Sequence, residues 1–139
     1  MSSNGTNTWN VSFAHISWFE RLLTNHGNIT SLSRHDDLVF KAVRKQQKDH
    51  LQIICLNEYT MGLTAIHRAL HEFGKPNLIY VGGGWCGYTK PAKEFCLSER
   101  IGLYVTNEMS GALWSTKYWT YHQRDKDGNP ICYVSGEGT

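Results

Sequence analysis

Leu78-Ile79-Tyr80-Val81 runs into Gly82-Gly83-Gly84-Trp85-Cys86-Gly87, and after it come Pro91 to Glu99 and Ile101-Gly102-Leu103-Tyr104-Val105. The first four residues are short, apolar and β-rich, so they read as a buried strand ending in a glycine loop. Proline is well placed in the first turn of a helix, and Thr89 can cap that turn. The last five residues read as a further strand. Strand, helix and strand over this length allow a parallel crossover, which places the chain in the α/β class.

Upstream, Leu38-Val39-Phe40-Lys41-Ala42-Val43 and Leu51-Gln52-Ile53-Ile54-Cys55-Leu56 flank a polar stretch from Arg44 to His50, the pattern of an antiparallel hairpin. Before it, Phe13, Ile16, Phe19, Leu22 and Leu23 recur at helical spacing until Asn25-His26-Gly27 ends the run. After it, Leu63, Ile66, Leu70 and Phe73 form one face of a helix from Met61, stopped by Gly74 and Pro76. The expected fold is a single α/β domain with a mixed sheet flanked by helices. Residues 1–12 read as a flexible tail and 13–114 as the core, with 115–139 an aromatic extension carrying a hairpin at Asp127-Gly128-Asn129-Pro130.

Bulk properties agree. With 139 residues, 40% of them hydrophobic and 19% charged, the chain can bury a real core without disulfides. A formal charge of +2 requires no polyanionic partner, so any basic surface must be local. No apolar run is long enough to span a membrane. The start lacks the basic and apolar regions of a secretion signal, so the expected setting is a reducing cytoplasm. Cys55, Cys86, Cys96 and Cys132 are too widely spaced for a zinc site, and Cys55, in an apolar run, reads as a buried thiol.

The order of elements, with Gly87-Tyr88-Thr89-Lys90-Pro91-Ala92-Lys93-Glu94-Phe95-Cys96 and the strand after it, resembles the restriction-endonuclease-like nucleases, particularly the Mrr group of type IV restriction enzymes, over residues 13–114. That group has an Asp near the first hairpin strand, then Glu or Gln, one spacer and Lys on the second. Oxygen ligands there hold Mg²⁺, a hard ion, and the Lys assists the attacking water. Carried onto this chain, the resemblance implies Asp37 and Gln52 as metal ligands, with Ile54 where Lys is expected. Glu58 shares the strand parity of Gln52 and stands as a displaced third ligand; Lys41 stands as a displaced ammonium. The implied function is a nuclease-like nucleic-acid recognition module, either a weak Mg²⁺-dependent phosphodiesterase or an inactive relative.

Trp85 and Tyr88 in the glycine segment can stack on bases, while Thr89, Lys90 and Lys93 can meet the nucleic-acid backbone. Alternatively, the Gly82 to Gly87 loop cradles a nucleotide or phosphate. A third reading is a protein-interaction module, a homodimer or part of a larger assembly, using the Trp- and Tyr-rich segment from Trp114 to Tyr121. Asn57-Glu58-Tyr59-Thr60 falls at the carboxyl end of an inner strand, where open α/β sheets bind ligands. Asp36 shares a turn with Asp37, and His67 and His71 share a helix face with no third ligand signalled. Cys86 precedes a helix, but the second cysteine of a thioredoxin-type turn is replaced by Thr89.

Overall fold

The computed structural model describes residues 8–35, 37–83, 86–124, 126–127 and 130–131. Helix α1 (Phe13–Thr24) opens where the Ser12 hydroxyl accepts the His15 amide at 3.1 Å, and it buries Ile16, Phe19 and Leu23. Three antiparallel strands follow: β1 (Ile29–His35), β2 (Val39–Arg44) and β3 (His50–Cys55). Next come β4 (Thr60–Met61), α2 (Leu63–Phe73), β5 (Leu78–Gly82) and β6 (Gly87–Tyr88). Helix α3 (Lys90–Ser98), β7 (Gly102–Val105) and α4 (Thr106–Trp114) complete the core. A 3-10 turn at Tyr118–Thr120 leads to a short antiparallel pair, β8 (Gln123–Arg124) with β9 (Pro130–Ile131).

The five-stranded sheet has the order β1-β2-β3-β5-β7, antiparallel as far as β3 and parallel from β3 through β7. The crossovers β3-α2-β5 and β5-α3-β7 advance in one direction, so crossovers of one hand put α2 and α3 on one face. Those helices do touch, with His67 edge-on to Phe95 at 4.9 Å. Helix α1 covers the opposite face, where Phe19 stacks on Tyr80 at 4.1 Å and meets Phe40 edge-on at 5.5 Å. Helix α4 lies beside the end of α1: a His26 ring nitrogen bonds the Ser110 carbonyl at 3.0 Å.

The hairpin, the β5-α3-β7 crossover and the Thr89 cap, which accepts the Ala92 amide at 3.3 Å, stand as the sequence implies; the parallel pairing of β3 with β5 is an addition. Two elements escape that reading. Strand β1 alternates half-exposed and exposed residues at the sheet edge, so it carries no apolar signature. Helix α4 holds Asn107, Ser110 and Gly111, weak helix formers, and its stability comes from burying Met109, Ala112 and Leu113. The expected tail also needs correction over residues 8–12. Trp9 and Val11 are core residues; the Trp9 indole donates to Glu72 at 3.0 Å and lies under the Arg68 guanidinium.

The segment after α4 is an aromatic cover. Tyr118 is buried, its carbonyl accepts the Tyr104 hydroxyl, and its own hydroxyl accepts from Asn77 at 2.8 Å. Arg44, with no exposed surface, ties this cover to the β2–β3 turn. It grips Asp49 with two donors at 2.7 and 2.8 Å and also reaches the carbonyls of Leu113, Ser115 and Thr116.

Candidate functional site

The residues expected to hold Mg²⁺ are not brought together. Asp37 is buried at 1% exposure with φ +70°, and its Oδ1 accepts from Arg34 at 2.7 Å. Gln52 pairs with Lys41 across β2 and β3, in an open cleft with His35, Val39, Glu72 and Phe73, and donates to the Phe73 carbonyl at 3.4 Å. Glu58 lies six residues farther along an extended chain whose amides at Leu56 and Glu58 bond β5 carbonyls. At about 3.3 Å per residue, the six-residue step from Gln52 to Glu58 spans up to roughly 20 Å, whereas ligands of one Mg²⁺ sit about 2 Å from the ion. Continuing the register places the fully buried Leu56 opposite Asp37, while Ile54 pairs with Val39. This donor set does not fit a magnesium centre. Among the described residues no group of three His, Cys, Asp or Glu could hold a metal ion.

The expected nucleic-acid contacts fare no better as a surface. Tyr88 is fully buried, with its hydroxyl donating to Glu108 at 2.9 Å; Thr89 is the buried cap of α3. Lys93 is 5% exposed, donates to the Leu103 carbonyl at 2.7 Å and lies against the Tyr88 and Tyr104 rings. Groups held inside in this way cannot meet a phosphate unless the domain opens. Lys90 is exposed. Trp85, like Gly84, Asp36 and Cys132, lies outside the described residues.

What the fold does assemble is a cleft at the carboxyl ends of the parallel strands, the usual ligand position of open α/β sheets. It measures about 320 Å³ and is lined by His15 and Trp18 from α1, Asn57 beyond β3, Tyr80 and Gly83 from β5 and its loop, and Thr106 and Asn107 from the start of α4. That volume lies near the lower end of the usual small-molecule range, roughly 300–1,000 Å³. His15 and Trp18 are three apart, hence neighbours on one helix face. The β4–β6 pairing, Thr60 with Gly87 and Met61 with Tyr88, holds the segment from Cys86 beside the strand ends. There the Cys86 thiol donates to Asn57 Oδ1 at 3.3 Å.

Glycine is required here. At Gly82, φ is +128°, and a Cβ would lie 2.8 Å from Asn57 Oδ1 and 2.9 Å from Cys86 Sγ. At Gly83 a Cβ would come within 2.5 Å of Thr106 Oγ1, whose partner is the Tyr80 hydroxyl at 2.7 Å.

The chemistry of this lining is polar and neutral. His15 Nε2 lies 3.0 Å from the Leu56 carbonyl, which can only accept, so Nε2 carries the proton. Burial holds the imidazole below its ordinary 6.5, outweighing the carbonyl's opposite pull, so the neutral ring leaves Nδ1 as an acceptor. Burial also raises the Cys86 thiol, and the Glu58 charge adds to the rise; a protonated thiol is a poor nucleophile. Burial pushes the Tyr80 hydroxyl up to about 12, where it stays protonated.

Sequence reading singles out Asn57, Cys86 and the glycine loop in this region. It misses His15, Trp18, Tyr80, Thr106 and Asn107, which come from three separate elements and meet only through the sheet. No family model matches the chain, and no curated protein or solved structure matches it either.

Proposed function

We propose that this chain is a small-molecule binding module whose ligand occupies the strand-end cleft, on a scaffold of restriction-endonuclease-like order that lacks a working metal centre. One observation carries the reading. Polar and aromatic side chains from α1, the segment after β3, β5 and α4 converge on a single cleft, while Asp37 is paired with Arg34 and Gln52 lines a different cleft. The order of α1, a three-stranded antiparallel meander, a crossover and a parallel strand supports the scaffold part of the reading. The high thiol pKa of Cys86 speaks against covalent chemistry at the same place.

Titrating ¹⁵N-labelled protein with uncharged heteroaromatic fragments tests it. Shifts are expected at Asn57, Gly83, Thr106 and the Trp18 indole; hits gathered at Lys41 and Gln52 would remove the reading. The protein with Mg²⁺ or Mn²⁺ is expected to leave single- and double-stranded DNA and RNA uncut. Cleavage that Asp37→Ala abolishes would restore the nuclease.

A further inference from the structure

The class of ligand can be narrowed from the cleft's own chemistry, and this step rests on the binding reading above. Three aromatic rings line the cleft. Trp18 is 42% exposed, and His15 stacks on Tyr80 with ring centroids 5.5 Å apart and planes 14° from parallel. Such a wall favours a flat π-system. Around it stand hydrogen-bonding groups of both kinds: the Asn57 amide, the Thr106 and Tyr80 hydroxyls and the acceptor Nδ1 of His15. Mixed donors and acceptors suit the edge of a heterocycle better than a hydrocarbon ring.

The electrostatics disfavour an anion. Among the described residues lining the cleft, none is Lys or Arg. The first turn of α4, which would otherwise attract a phosphate, already faces a carboxylate: Glu108 Oε1 accepts the Val105 amide at 3.1 Å. Glu58 adds a second acidic group, close enough to Cys86 to influence its thiol. A phosphate placed here would gain no lining cation, and the start of α4 already has the Glu108 carboxyl beside it.

We infer that the cleft takes a neutral nucleobase presented as a free nucleoside, and that it does not take a phosphate. Gly82 and Gly83 are then the positions that let Asn57, Cys86 and Thr106 approach the strand end, in place of an anion cradle.

Calorimetry on the full chain decides this. The probes are the four ribonucleosides, their 5′-monophosphates, inorganic phosphate and a mixed-sequence single-stranded oligonucleotide. At least one nucleoside is expected to bind, its monophosphate no more tightly, and phosphate alone not at all. Trp18→Ala, at an exposed helix position, should weaken that nucleoside by roughly five-fold or more while leaving the melting temperature in place. Tighter binding of the monophosphate, or binding of phosphate itself, overturns the inference and leaves the binding module standing. Binding of the oligonucleotide with every nucleoside silent overturns the free-nucleoside source. Silent nucleosides with uncharged fragments still mapping to the cleft overturn the inference alone; if the fragments are silent too, the binding reading falls with it.

Discussion

Replacing Lys93 by alanine should cost the domain on the order of 3–5 kcal/mol in chemical denaturation, because it strands a buried carboxylate. The ammonium donates to the Leu103 carbonyl at 2.7 Å and lies 4.1 Å from the Tyr104 ring centroid. Its charge is also what holds down Glu108, which accepts from Tyr88 at 2.9 Å and from the Val105 amide at 3.1 Å. Burial already raises the Glu108 carboxyl above its ordinary 4.5 against the pull of Lys93. Without Lys93 the rise is larger. A raised carboxyl in the folded state stabilises below its unfolded pKa and loses that stability as pH climbs through the folded value. The variant's deficit should therefore grow as pH rises above 4.5. Changing both partners, Lys93→Met with Glu108→Gln, should cost less than the sum of the single changes. Full stability with a loss of nucleic-acid affinity would return Lys93 to the surface role suggested by its sequence.

Arg44→Ala is the second large effect, expected near 3 kcal/mol. The Asp49 side chain is 40% exposed, so water compensates much of that half of the loss. The greater part comes from the Leu113, Ser115 and Thr116 carbonyls, which lose their shared donor, and from the space left against Tyr118. Arg44→Lys should recover only part, since an ammonium has three donors and no planar fork. Equal stability of wild type and Arg44→Ala would mean that the aromatic cover holds without this tie.

These two residues show where sequence reading succeeds and fails. Elements whose burial is written in local periodicity are legible: α1, the β2–β3 hairpin, α2 and the β5-α3-β7 crossover follow from spacing and breakers. Lys93 is not, because a lysine after Thr89 and Pro91 looks like a solvated helix start until β7 and Tyr104 are packed against its stem. Asp37 and Gln52 are plausible ligands in one dimension. In three, Asp37 is spent on Arg34, and Gln52 is paired within the sheet while Glu58 lies beyond the end of β3. The cleft is hidden for the opposite reason. Apart from Asn57, its side chains are unremarkable singly and gain meaning only where three parallel strands end together.

A paired comparison of Asp37→Asn and Asn57→Ala in one affinity and one unfolding assay tests most directly where the site lies. Asparagine tolerates the positive φ at position 37, so that variant loses chiefly the Arg34 ion pair, about 1–2 kcal/mol. Its affinity for the cleft ligand should stay at the wild-type value. Asn57 is exposed, so its alanine variant should hold stability to within about 0.5 kcal/mol and lose binding. The reverse pattern, with binding or cleavage lost at Asp37 and retained at Asn57, would place the functional centre back at the hairpin and contradict this account.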